Sequence, residues 1–260
     1  RQVQAIVHNP RPMSIDTLDR RPLRLWRSTL LALLVATVLA AVAAWLLLPP
    51  AHGSATVLIS AALSADGEGD SFPLGVPART ISLPDDWAES RPGSYGPAWY
   101  RVAFFVTEPR GRSGRDLLAV YIARACTNLE VFANGQLVHS GGRMVGNVTY
   151  NCNQPQLVSL PATMVRDGVN TLDIKLVGVP ATHVASRQRA GGLSALEIGR
   201  YQELAPHHEW QTALQVGLPQ GLSATMLLMG GFMFLMGWVN RSESHLAYFG
   251  ALSAGWAVVE

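Results

Sequence analysis

Lysine is nearly absent from this sequence. Lys175 is the only one, and lysine and arginine together number 20 against 18 aspartates and glutamates, a net charge of +2. A nucleic-acid-binding domain gathers its basic residues into a patch. Those that cluster here lie at the far N-terminus, where a membrane accounts for them, so no nucleic-acid partner is expected. Cysteine is scarce too. Cys126 and Cys152 are the only two, and they lack partners at the ligand spacing of a zinc site. Catalytic signatures are missing: the chain has no GxSxG elbow, no HExxH, no Walker loop and no carboxylate pair in a recognisable context. Asp85-Asp86 reads as a turn before Trp87. No enzyme activity, cofactor or metal is therefore expected within residues 1–260. The chain starts at Arg1 without a methionine and stops at Glu260 inside an apolar run, so it is expected to be a piece of a longer protein.

Charge is also missing from long stretches. Ser28 to Leu48 is 21 residues without a charge and without a polar face. A helix of roughly 20 apolar residues spans the hydrocarbon core, whereas a cleaved signal peptide carries an apolar region of about 7–15. The segment reads as a retained anchor. Ala213 to Val239 is apolar around its whole circumference apart from Gln215, Pro219, Gln220 and some small residues. A third apolar run starts at Leu246, after a short polar link, which predicts a tight helical hairpin. Arg20, Arg21, Arg24 and Arg27 precede the first run, and no lysine or arginine follows it until Arg79. The positive-inside rule then puts the N-terminus in the cytoplasm and residues 50–211 outside. Abundant arginine and alanine beside so little lysine fit a GC-rich bacterial genome, so the expected location is a bacterial inner membrane with a periplasmic domain, and membrane lipid is an expected partner.

Between Ala78 and Gly199 strand signals alternate with turn signals, and no stretch has a helical period. Trp99–Val106 and Leu117–Ala123 are rich in aromatic and β-branched residues. Leu129–Ala133 leads into Asn134-Gly135, a strong hairpin signal because both turn positions need positive φ. Leu137–His139, Leu157–Leu160, Thr171–Val177 and Leu193–Ile198 complete the expected strands. The fold class is an all-β jelly-roll or β-sandwich ectodomain flanked by transmembrane α-helices. The expected organisation is a cytoplasmic segment (1–27), a membrane helix (28–48), a stalk or first strand (49–71) and an exported domain (72–205). A juxtamembrane segment with a second membrane helix (206–239), a cytoplasmic link (240–245) and the start of a third helix (246–260) follow. In an oxidising compartment Cys126 and Cys152 read as a disulfide, with two buried free thiols as the alternative.

Trp87, then Ala98-Trp99-Tyr100-Arg101, then Leu129 to Gly135 (LEVFANG), then Asp167 to Leu172 (DGVNTL) carry a resemblance. In that order they resemble the jelly-roll sugar-binding domain of family 2 glycoside hydrolases. The same galactose-binding-like fold caps bacterial sensor proteins of the seven-transmembrane receptor class, whose layout of exported domain and closely spaced spans is similar to this one. The resemblance covers residues 72–200 and implies a carbohydrate ligand and a cytoplasmic output domain, a histidine kinase or else a diguanylate cyclase. It also implies that catalytic carboxylates, where relatives have them, belong to a different domain.

Sugar recognition needs flat aromatic faces and planar polar groups. The segment Arg143–Asn153 offers Arg143, Tyr150, Asn151 and Asn153 beside Cys152, on a loop of the kind that carries such sites on sandwich rims. A solvated loop fixed for structural reasons is the alternative. Arg101 either faces a rim site or pairs with a carboxylate. His207-His208-Glu209 reads as a polar collar before the membrane, since adjacent residues do not converge on a metal, and Trp210 as an interfacial anchor. Met226, Met229, Met233 and Met236 line one helix face as packing, lipid contact or a sliding surface. Gly217 and Gly221 form a GxxxG spacing that Pro219 weakens, and a homodimer stays open. The leading expectation is a sensor. The others are an envelope assembly protein that binds a partner protein, and a tethered carbohydrate enzyme whose catalytic module is missing.

Overall fold

The computed structural model describes residues 56–106, 117–146, 149, 151–184 and 190–259, with 33–38, 40, 41, 43, 44 and 48. The chain divides into two units, residues 1–49 and 50–260. In the first, residues 33–38, 40, 41, 43 and 44 are helical and exposed. The Thr37 hydroxyl donates back to the Leu33 carbonyl at 2.7 Å, which satisfies it within its own helix. The remainder of the 28–48 helix and all of 1–27 lie outside the described residues.

The second unit is a β-sandwich followed by helices. One sheet holds six strands in the order β3 (Arg79–Ser82), β2 (Ala61–Asp66), β5 (Gly96–Val106), β10 (Gly168–Gly178), β7 (Glu130–Ala133) and β8 (Gln136–Ser140). The other holds four: β1 (Val57–Ile59), β12 (Leu196–Arg200), β6 (Leu118–Ile122) and β9 (Gln156–Leu160). A two-stranded ribbon joins β4 (Asp85–Asp86) to β11 (Gly192–Leu193). Every pairing is antiparallel. The chain crosses between the main sheets from β1 to β2, β5 to β6, β6 to β7, β8 to β9, β9 to β10 and β10 to β12.

Alternation along the strands explains the layers, because successive side chains point to opposite faces. On β10, Leu172, Ile174 and Leu176 are fully buried in the core between the sheets. On β5, Tyr100 and Val102 do the same. They meet Val120 and Ile122 of β6, Val158 and Leu160 of β9, and Leu196 and Ile198 of β12. Burial of each large side chain contributes roughly 1.5–3 kcal/mol. Asn134 and Gly135 adopt φ of 49° and 83° in the hairpin turn between β7 and β8. The asparagine does more than turn the chain. Its Oδ1 accepts from the Thr171 amide at 2.9 Å, and its Nδ2 donates to Asn170 at 2.8 Å and to the Met164 carbonyl at 2.7 Å.

A short helix α1 (Trp87–Ser90) is N-capped by Asp86. After β12 the chain enters α2 (Tyr201–Thr212), a π-helical turn (Ala213–Gly217) and α3 (Leu218–Val239). A 3-10 turn (Arg241–Glu243) leads into α4 (Ser244–Val259). The continuous helix Tyr201–Val239 is, among the described residues, the one long and apolar enough to cross a membrane; 11% of its most apolar 18-residue window is buried, and that window has a mean hydropathy of 1.7. α3 and α4 pack as a hairpin through small residues. A Cβ on Gly237 would lie 2.3 Å from the Ala247 nitrogen, and one on Gly250 2.4 Å from the Gly230 carbonyl oxygen. Small residues at these positions let the two backbones approach closely.

Four local expectations change. Residues 49–71 contribute the first strand expected there as one of two readings, β1, and a second strand, β2, so the sandwich begins at Val57 and not at residue 72. Asp85-Asp86 is a paired strand, drawn into the fold because the Asp85 carboxylate accepts from the Tyr100 hydroxyl at 2.7 Å. Leu193–Ile198 splits in two, because Ser194 bonds to Arg124 through both its amide and its hydroxyl (2.9 and 3.1 Å) and leaves the ladder. The connection after Gly199 is helical from Tyr201, which moves the 205/206 boundary into the middle of α2.

Candidate functional site

The loop from Gly141 to Gln154 joins β8 to β9 and is fixed from beneath. A disulfide joins Cys126 to Cys152. Asn128 is fully buried; its Nδ2 donates to the Arg143 carbonyl and its Oδ1 accepts from the Val177 amide at 3.2 Å. Asn151 donates from its backbone to the Thr127 carbonyl at 2.9 Å and from its side chain to the Gly141 carbonyl at 2.5 Å. Polar groups buried in this way hold a loop because leaving one unpaired costs about 1–3 kcal/mol.

The far end of this loop faces the helices across a cleft of about 800 Å³. Asn151, Asn153 and Gln154 line it from the sandwich, and Gln215, Gln220 and Ser223 from the helix. Pro219, Leu227 and Ala257 add apolar wall. The helix is irregular beside the cleft. Pro219 has no N–H to offer the Gln215 carbonyl four residues earlier, and the preceding turn is π-helical, with the Leu218 amide donating to Ala213. Such turns recur at functional positions. No described side chain lining the cleft carries a formal charge. Its chemistry is that of amides and a hydroxyl, which donate and accept at once and match hydroxylated, neutral groups. Among the described residues no group of three or more histidines, cysteines or carboxylates could hold a metal.

The sequence-predicted residues separate. Asn151 and Asn153 line the cleft, although the Asn151 amide is already used within the loop. Arg143 is exposed on the same loop and is not among the cleft-lining residues. Tyr150 lies outside the described residues. Arg101 is elsewhere, on the outer face of the six-stranded sheet. It pairs with Asp173 through two hydrogen bonds of 2.6 and 2.8 Å and stacks over Phe72 at 4.1 Å, so the carboxylate reading of this arginine is the one its contacts support. The Asp173 hydrogen bonds raise the Arg101 pKa further above its ordinary value. Gln215, Gln220 and Ser223 were missed. Their signal was present as polar side chains that interrupt an apolar run.

Next to the cleft, α2 docks on the outer face of the four-stranded sheet. Leu204 is buried against Ala119 and Tyr121. His207 meets the Tyr121 ring edge-on at 5.0 Å, and His208 Nε2 lies 3.1 Å from the Pro155 carbonyl oxygen. The histidines expected as a collar therefore brace the helix against the sheet. Burial, then the nearby charge of Glu197, push the Tyr121 phenol up to about 12. In the core between the sheets, Trp87 Nε1 donates to the Tyr100 hydroxyl at 2.5 Å; burial and the Asp85 carboxylate raise the Tyr100 pKa well above its ordinary value.

No family model matches this chain, and no curated protein does. Solved structures show a partial likeness to it. A GH2 β-galacturonidase from Eisenbergiella tayi is 16% identical with a TM-score of 0.40, over 58% of this chain and 25% of that one. A glycosyl hydrolase family 2 member from Bacteroides cellulosilyticus is 19% identical with a TM-score of 0.41, over 55% and 20%. Faecalibacterium prausnitzii β-glucuronidase is 14% identical with a TM-score of 0.38, over 59% and 33%. The chain thus spans a fifth to a third of the length of these proteins.

Proposed function

We propose that this chain is the ligand-binding and anchoring part of a membrane receptor. The observation that carries the reading is the single helix Tyr201–Val239: its first turns pack on the sandwich, its remainder is apolar and, beyond its contact with α4, largely exposed, and it lines a cleft together with the sandwich loop. A ligand held in that cleft touches both parts, so its affinity depends on their relative arrangement. That differential affinity is what a signal requires. The amide-lined, uncharged wall favours a neutral carbohydrate or glycan fragment. In this reading residues 28–48 and the α3–α4 hairpin lie in the membrane, the sandwich is periplasmic, and a histidine kinase on the same protein reads the movement.

The test is thermal unfolding of the full chain in lipid nanodiscs against a panel of neutral envelope sugars. A ligand that binds only the native state raises the midpoint with concentration. The expected result is a shift that is lost in Asn153→Ala and in Gln220→Leu alike. A folded chain that no neutral sugar stabilises, or a shift that survives both substitutions, removes the cleft from the reading.

A further inference from the structure

We infer a second ligand site, remote in sequence from the loop above, that takes a small hydroxylated carboxylate of the sugar-acid class. It is a pocket of about 410 Å³ at the edge of the six-stranded sheet. Its walls come from three segments: Ser64 and Asp66 on β2, Arg79 at the start of β3, and Ser90, Arg91 and Ser94 around the end of α1. A pocket near the lower end of the usual range for small ligands, roughly 300–1,000 Å³, suits a molecule of about one sugar unit.

Charge and donor placement set the ligand class. Arg91 is 6% exposed and immobilised. One terminal nitrogen donates to Asp66 and the other to Ser64, and its guanidinium carbon lies 5.5 Å from the Trp87 ring and 6.0 Å from the Tyr100 ring. A guanidinium has five N–H donors in a fixed fork. Two are engaged by these bonds, so the group enters the pocket wall already oriented and with donors to spare. Arg79 is different. It is exposed and has no carboxylate partner among the described residues, although its backbone is held in register opposite Ser64.

Two guanidinium groups against the single Asp66 carboxylate leave the pocket one positive charge in excess. A monoanion balances it. The Arg79 fork matches a carboxylate bidentately. Asp66 has its side chain 71% exposed and can accept from ligand hydroxyls, and the hydroxyls of Ser90 and Ser94 can donate or accept. No aromatic side chain lines the pocket, so recognition rests on the carboxylate and the hydroxyls together and not on ring stacking. A plain hydrocarbon acid would leave Asp66 and the serines facing apolar surface, and a neutral sugar would leave Arg79 unpaired.

The test uses the full chain in nanodiscs of zwitterionic lipid, unfolded thermally with glucuronate, glucose or acetate, each up to about 50 mM. In the Asn153→Ala protein, whose cleft is disabled, glucuronate should raise the midpoint progressively, and glucose and acetate should not. Arg79→Gln, at an exposed position, should weaken glucuronate about tenfold or more, the loss expected when one charge-assisted pair is removed, while the unliganded midpoint stays unchanged. Asn153→Ala should retain the glucuronate response, which separates this site from the cleft. The proposal is overturned by a chain that glucuronate does not stabilise, by an equal response of the Asn153→Ala protein to acetate or glucose, or by an Arg79→Gln protein that responds as the native one does.

Discussion

The two sheets of the sandwich have their outer faces covered in different ways. Over the six-stranded sheet the cover is the irregular segment from Gly67 to Pro73. It buries Trp99 completely and Phe72 to 5%. Trp99 Nε1 donates to the Gly67 carbonyl at 3.0 Å, Lys175 Nζ donates to the Gly69 carbonyl at 2.9 Å, and Phe132 packs 5.3 Å from Trp99. Over the four-stranded sheet the cover is α2, which commits one fully buried apolar side chain, Leu204, and otherwise meets the sheet through Tyr121, His207 and His208. The first cover is an extension of the core and goes nowhere. The second is thinly apolar and continues into α3. Apolar contact sets the cost of opening a segment, so movement is cheap at the face that leads to the hairpin and costly at the one that does not.

Four experiments break or sharpen that contrast. The largest effect is expected from Trp99→Ala, which empties the aromatic cover and should cost about 3–5 kcal/mol, read as a lower denaturant midpoint for the sandwich as a whole. Asp173→Ala comes next. Asp173 is 2% exposed and its loss strands Arg101 beside Phe72; a cost of about 3 kcal/mol is expected, moderated because Arg101 reaches solvent. Leu204→Ala should leave that global midpoint nearly in place and instead loosen α2, with amide exchange from Tyr201 to Thr212 faster by on the order of a hundredfold, as a loss of about 2.7 kcal/mol implies. Equal global destabilisation by Leu204→Ala and Trp99→Ala would erase the difference between the covers.

The smallest effect concerns Tyr121. Its folded pKa lies above the unfolded value, so the native state holds the proton more tightly. The stability this brings is complete below about pH 10 and is lost as pH rises toward about 12. Ultraviolet titration of the phenols should show a late-ionising group that disappears in Tyr121→Phe, with almost no change at neutral pH.

Much of the fold was legible from local chemistry. The run from Trp99 to Val106, the alternation of Thr171 to Val177 and the Asn134-Gly135 turn each carry their structure in adjacent residues, and the strands they predicted exist. Where the reading failed, the deciding contact came from far along the chain. Asp85-Asp86 has turn composition but pairs with Gly192-Leu193 and bonds to Tyr100. Residues 201–212 have little helical pattern because the face of α2 that docks is mostly polar. The candidate site was half visible. Asn151 and Asn153 were found through their cysteine neighbour, whereas Gln215 and Gln220 were noted only as interruptions of an apolar run. The pairing of Arg91 with Asp66 left no trace, since nothing local marks either residue.

By itself the sequence determined the periodicities: which segments alternate, which are apolar all round, and where positive φ is required. Those properties depend on side chains within a few residues of each other. Only the tertiary structure decided which cover lies on which sheet, that Arg101 is engaged by Asp173, and that amides from a loop and a helix line one cleft. Each of these joins groups distant in the chain, and which groups meet is fixed by how two sheets and a helix pack, not by any local preference of the residues concerned.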